Sequence, residues 1–149
     1  MKAVISEWFQ NHKSTLTYCI ATTFLWGLIA YAYGLLHNNL SHDVLNAFVA
    51  MTTEEIWKIE LGRFFVPVYR YLFRGAVSLP WLIGLVGLFW TSLAVFFTIQ
   101  LLDVKKKPVI ALIAGIMVTN ITYISQIATY VYEFDFNALA LLLACSYRH

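Results

Sequence analysis

Charge is what this sequence has least of. Of its 149 residues 12% are charged and 60% hydrophobic, and the mean hydropathy is +0.70. Soluble domains carry about 25% charged residues, and a chain of this length would make one such domain. So little charge cannot clothe a globule in a water-compatible surface, which excludes an ordinary soluble fold; a bilayer removes the requirement. Net charge is only +2, and the run Lys105-Lys106-Lys107 is too short for a nucleic-acid patch, so no nucleic-acid partner is expected. Cysteine is scarce as well. Cys19 and Cys145 both sit in apolar runs without metal-type neighbours and read as small buried apolar residues. They say little about redox compartment. Residues 1–13 lack the apolar stretch of a cleavable signal peptide, although the first apolar run can serve as an uncleaved anchor. No internal repeat or low-complexity tract is present.

What the chain does have is long apolar runs. Val4, Ile5, Trp8 and Phe9 give residues 1–13 the look of a short interfacial helix. The first spanning run, about 16–36, carries no charge and is long enough to cross a hydrocarbon core of roughly 30 Å. Tyr31 and Tyr33 near its end suit a membrane–water interface. A second span is expected at about 79–102, with Pro80 in the first turn, where a missing N–H costs nothing. A tight turn over Asp103–Pro108 leads to a third span at about 109–131. Asn120, Thr122, Ser125 and Gln126 make that span more polar and suggest that it packs against other helices. The Asn120-Ile121-Thr122 sequon lies mid-span, out of reach of glycosylation. A fourth apolar run, 136–149, is too short to cross before the chain stops.

Between the first two spans, His37–Ser78 is too polar for the core and too apolar for a solvated loop. Thr52 and Glu55 form a capping box, and Leu45, Phe48 and Met51 recur at helical spacing. Short amphipathic helices lying on the membrane are expected there. The fold class is therefore all-α integral membrane: three full transmembrane helices and the start of a fourth, in a single membrane domain over 1–149. Lys2, Lys13 and Lys105–Lys107 fall on one side if the spans alternate. The positive-inside rule puts that side, and the N-terminus, in the cytoplasm. The 37–78 segment and the Glu133/Asp135 turn then face outward.

Chemistry-bearing residues gather on that outer side. Asp43, just past the first span, can act as a general base on a hydroxyl; aspartate is also a favoured helix cap, on sequence alone the commoner role. His37 and His42 beside Asp43 raise a divalent metal as a lesser alternative, with no fourth ligand evident; otherwise no cofactor is expected. Arg63, Arg70 and Arg74, at i, i+7 and i+11, fall within about 40° of one another on a continuous helix. They would form a basic stripe able to fork onto phosphate, unless Pro67 breaks the helix. Snorkelling to headgroups is the plainer role for Arg70 and Arg74. Asp135 stands at the second outer edge, where it too reads as a helix cap. With Glu54 and Glu55, these arginines and Asp135 are the substrate-binding candidates.

The stretch Asn38-Asn39-Leu40-Ser41-His42-Asp43-Val44-Leu45-Asn46, followed by Trp57-Lys58-Ile59-Glu60-Leu61-Gly62-Arg63-Phe64-Phe65-Val66-Pro67, resembles the first outer loop of the type-II Gtr group of membrane glucosyltransferases. Phe134-Asp135-Phe136-Asn137 resembles their next outer motif. The resemblance covers most of this chain but only the N-terminal part of such proteins, which are several times longer. It implies a GT-C-type multi-helix fold in a bacterial inner membrane. It also implies transfer of a sugar, typically glucose, from a polyprenyl-phosphate donor to a surface glycan acceptor such as O-antigen. The family's first-loop acid falls on Asp43, and its Gly-Arg pair on Gly62 and Arg63. Because the chain stops inside an apolar run, it reads as a fragment or a truncated gene product, inactive or active on its own. Two other classes fit the length: a small lipid-carrier flippase, which needs no acids at the outer edge, and a non-catalytic assembly subunit, in which Asp43 and Arg63 would be replaceable.

Overall fold

The computed structural model describes residues 2–36, 56, 58–73, 79–129 and 131–147, and among them every regular element is helical. Helix α1 spans Lys2–Leu36, α2 Phe65–Phe73, α3 Pro80–Leu101, α4 Lys107–Val118, α5 Ile121–Thr129 and α6 Phe134–Ser146, with a short 3-10 turn at Val131–Glu133 ahead of α6. Two helices are long and apolar enough to cross a membrane, His12–Leu36 of α1 and the whole of α3; a third crossing exists if α4 and α5 count as one broken span. Helix α6, with 13 residues, falls short of a crossing. Among the described residues the count is thus two or three crossings, followed by one shorter apolar helix.

The N-terminus differs from the expected separate interfacial helix. Helix α1 runs unbroken from Lys2, because Asn11–Thr15 is polar but holds no Pro or Gly, and its residues cost only tenths of a kcal/mol each in helix propensity. Pro80 opens α3, and Asp103, in the left-handed region at φ 47, turns the chain into α4.

The third apolar run is not one helix. Helices α4 and α5 meet at a 45° bend, and Asn120 is its cause. Its Oδ1 accepts the Tyr123 N–H at 3.1 Å, capping α5, while its Nδ2 donates to the Met117 carbonyl at 2.5 Å. An asparagine side chain competes with helical backbone bonds in this way. Inside an apolar medium every freed carbonyl needs a partner; the Tyr31 hydroxyl donates to Val118 O, as Asn120 itself does to Met117 O. Asn120 therefore breaks the span rather than gluing it to a neighbour. Thr122 and Ser125 are exposed, not packed between helices, and the Ser125 hydroxyl donates to Thr122 O at 3.0 Å, within its own helix.

Packing relies on glycine notches, as is common where helices meet in membranes. Helix α1 lies antiparallel to α3: Cys19 packs among Val95, Phe96 and Ile99, and Leu35 fills the notch at Gly84. It runs parallel to α4, with Trp26 Nε1 donating to Ala111 O at 3.1 Å. Helix α6 runs parallel to α3, since Phe134 sits on Gly87 and Cys145 Sγ lies 3.7 Å from Thr98 Oγ1. Leu36, Pro80 and the start of α6 share one end of the bundle, below called the Pro80 end. Leu25, Leu28, Ile29 and Tyr33 of α1 are exposed, as a lipid-facing helix requires.

Candidate functional site

The segment from Lys58 to Phe73 brings charge to the Pro80 end. Residues 58–60 are helical and stop in a Schellman turn: Arg63 N–H donates to Lys58 O at 2.8 Å and Gly62 N–H to Ile59 O at 2.9 Å, the 6→1 and 5→2 bonds of that motif. Gly62 takes the left-handed position, φ +78, where a Cβ is strained. Because Arg63 N–H is bonded to Lys58 O, both cations leave one turn. They converge on Glu133, in the 3-10 turn before α6. Lys58 Nζ lies 2.9 Å from Glu133 Oε1, and Arg63 Nη1 lies 3.8 Å from Oε2. The Lys58 side chain is 2% exposed, Glu133 23% and Arg63 53%.

The chain then enters α2, with Pro67 in its first turn, where proline is tolerated. Tyr69 and Phe73 stack at 5.0 Å, Phe73 meets Trp90 edge-on at 5.4 Å, and Trp90 Nε1 donates to Tyr69 Oη at 3.0 Å. These contacts dock α2 onto α3. Polarity in this segment is inverted relative to a helix lying on a water-facing surface. Arg70, Tyr69 and Lys58 are buried, while Phe64, Phe65, Val68, Tyr71, Leu72 and Phe73 are exposed; at the turn, Glu60 and Arg63 are exposed as well. Charge inside and hydrocarbon outside is the arrangement that an apolar surrounding selects.

Of the residues singled out from the sequence, Arg63, Arg70 and Asp135 are described; Asp43, Glu54, Glu55, His37, His42, Arg74 and the Thr52–Glu55 capping box lie outside the described residues. Arg63 and Arg70 do not form one stripe. Helix α2 begins only at Phe65, so Arg63 stands half-exposed ahead of it while Arg70 is buried within it; Pro67, in the first turn of α2, breaks nothing. Arg70 is therefore held within the protein rather than snorkelling. Asp135 is not the cap of α6 but its second residue, 1% exposed, with Oδ1 accepting the Phe136 N–H at 3.0 Å. An acid in the first turn of a helix is stabilised by the exposed N–H groups there. Lys58 was not singled out in the sequence, and Glu133 only as the mark of an outer turn, though Leu61-Gly62-Arg63 is a helix-stop signal that ties Arg63 back to residue 58. Among the described residues no group of three His, Cys, Asp or Glu side chains could hold a metal ion.

An all-helical bundle with apolar helices of spanning length and a hydrocarbon exterior is of the class of integral membrane proteins. The model of one family, described as glucosyl transferase GtrII, matches residues 32–146, from the last turn of α1 to the end of α6. The chain belongs to this family of glucosyl transferases. No curated protein and no solved structure matches it significantly.

Proposed function

We propose that this chain serves the transfer of a glucosyl residue from a polyprenyl-phosphate carrier to a cell-surface glycan such as O-antigen. The active side is the Pro80 end, facing away from the cytoplasm at a bacterial inner membrane, within a larger GT-C-type transferase of which 1–149 is the N-terminal membrane domain. Asp43 takes the proton of the acceptor hydroxyl as that oxygen bonds to the anomeric carbon. The bond from that carbon to the phosphate oxygen breaks, and its electron pair leaves with the lipid phosphate. Arg63 steadies the departing charge, for which a guanidinium fork is suited. Arg70, Asp135, Glu54 and Glu55 complete the substrate-binding set.

Beyond family membership, one observation supports this reading. Lys58, Arg63 and Glu133 gather at the start of α6, two residues from Asp135, in a bundle whose outer surface is hydrocarbon. A lipid-phosphate donor needs such a meeting of charge and hydrocarbon. The test is Asp43→Asn, since asparagine caps a helix about as well as aspartate but cannot take up the proton. Transfer to the glycan in membranes of cells making the full-length protein should fall about 10²–10⁴-fold, on the order of 3–5 kcal/mol of barrier, with insertion and folding retained. Wild-type transfer by Asp43→Asn would make Asp43 a cap and move the base elsewhere, first to Asp135.

A further inference from the structure

The ion cluster has an order that its charges alone do not dictate. Glu133 has two carboxylate oxygens and two cations within reach, yet it serves them unequally. Lys58 is within hydrogen-bond distance, at 2.9 Å, while Arg63 stands at 3.8 Å, beyond it. The short contact belongs to the buried partner and the long one to the exposed partner, which is the order desolvation favours. A buried ammonium needs its counter-ion far more than a guanidinium in contact with solvent does. The trio carries a net single positive charge, and the cation left only loosely engaged is Arg63, more than half exposed.

We propose that Lys58 is a positioning residue for Arg63: by occupying Glu133 from the buried side, it keeps the Arg63 guanidinium available for an anionic phosphate ligand. This rests on the reading of Arg63 as the phosphate-binding residue. Lys58 itself, at 2% exposure, does not reach the ligand. Its backbone role is separate too, because Lys58 O accepts the Arg63 N–H whatever side chain residue 58 carries. Remove the ammonium, and Glu133 loses its compensation while its second oxygen already faces Arg63. A shift of about 1 Å would close that gap into a charge-assisted, bidentate pair. Arg63 would then be neutralised, and a phosphate would have to displace a carboxylate to reach it.

This mechanism predicts an unusual order among variants. The probe is a polyprenyl monophosphate titrated into the full-length protein in nanodiscs of zwitterionic lipid, with affinity read by tryptophan fluorescence and folding checked by thermal melting. Lys58→Met should weaken binding about tenfold, the scale of one charge-assisted bond, and Lys58→Arg should not. Glu133→Gln, which frees Arg63, should bind as well as wild type or better. The double variant Lys58→Met/Glu133→Gln should recover most of what Lys58→Met lost. A merely structural pair would give the opposite result, with both single changes harmful and the double no better than Lys58→Met; that outcome overturns the proposal. Should Lys58→Met fail to fold, the Glu133→Gln titration still decides, since weakened binding there also overturns it. Arg63→Ala separates the two layers. If it binds the lipid phosphate like wild type, the phosphate role of Arg63 falls and the proposal with it. If it loses binding while folded Lys58→Met does not, the proposal falls alone.

Discussion

Replacing Gly87 by alanine should loosen the docking of α6, and the size of the effect follows from what the new methyl group meets. A Cβ at Gly87 would lie 2.3 Å from both Cδ1 and Cε1 of Phe134 and 3.2 Å from its Cγ, whereas carbon atoms pack at about 3.5–4.0 Å. The ring must therefore retreat by more than about 1 Å, and it has little room behind it. Phe134 is fully buried, its ring is held edge-on by Tyr123 at 5.2 Å, and Tyr123 Oη shares a 3.2 Å hydrogen bond with Thr91 Oγ1. Overpacking of this kind costs about 1–3 kcal/mol, and the better helix propensity of alanine returns up to about 1 kcal/mol. Net destabilisation of about 1–2 kcal/mol is expected. Gly84→Ala is the built-in control. Its Cβ would come within 2.3 Å of Cδ2, 2.7 Å of Cδ1 and 3.0 Å of Cγ of Leu35, which is also buried but has the rotamer freedom that a ring lacks. Its net loss should be smaller than that of Gly87→Ala. The assay is unfolding of the purified protein in mixed micelles by SDS titration, followed by helical circular dichroism. The reasoning fails if Gly87→Ala unfolds at the wild-type midpoint or later, or if Gly84→Ala loses more. Combining Gly87→Ala with Phe134→Leu should cost less than the sum of the two single changes, because the smaller side chain vacates the contested space.

Three further outcomes are expected. Asn120→Ala, which removes both side-chain bonds at the α4–α5 break, should lower stability by about 1–2 kcal/mol in the same unfolding assay; an unchanged midpoint would mean that the bend does not depend on its cap. Gly62→Ala, at φ +78, should cost about 1 kcal/mol of left-handed strain and weaken polyprenyl-phosphate binding by moving Arg63, with Gly62→Asn milder, since asparagine tolerates that conformation better; equal binding by all three proteins would detach Arg63 from the turn. In a background lacking Cys19 and Cys145, a cysteine at Ser41 should react with an impermeant maleimide from outside the cell and one at Lys106 only after permeabilisation; external labelling at Lys106 would reverse the orientation.

Features written in single residues were legible in the sequence. Pro80 marked the start of α3, and Asp103-Val104-Lys105-Lys106-Lys107-Pro108 marked a turn, because proline and a run of charge interrupt an apolar helix whatever surrounds it. The all-helical class followed from run length and composition. Features that depend on a partner were not legible. Asn120 was visible as a polar residue in an apolar run, but whether it glues helices or breaks one depends on Tyr31, far away in sequence, supplying a donor for the carbonyl set loose at Val118. The basic stripe failed for a related reason. A period of 3.6 residues places Arg63 above Arg70 only if one helix holds both, and after the Gly62 turn the next helix begins only at Phe65. Of the candidate site, Arg63 and Asp135 emerged near one another through Glu133, whereas Lys58 was hidden because nothing local announces that a lysine will be buried. The family resemblance, by contrast, rested on short motifs read directly, and the matching family model spans them.

The bend at Asn120, the buried pair and the inverted α2 make sense only together. An unbroken helix over residues 107–129 would be about 34 Å long, nearly equal to α3 at about 33 Å, and would end level with Pro80. With α5 tilted by the observed 45°, its nine residues rise only about 9–10 Å along the axis instead of about 13 Å. The chain then turns back about 4 Å early, part of the roughly two turns by which Phe134, on Gly87, lies below the start of α3. That geometry carries Glu133 and Asp135 below the end of the bundle, where a carboxylate without a partner is costly. Lys58 supplies the partner for Glu133. A lysine at that depth would itself be unfavourable unless the segment bearing it were apolar toward the surroundings, and Phe64, Phe65, Val68, Tyr71 and Leu72 make it so. The break adds to the depth, the depth requires the pair, and the pair requires an outward face of hydrocarbon. What the three leave at the rim, among the described residues, is a loosely held guanidinium, Arg63, beside a surface of exposed hydrocarbon.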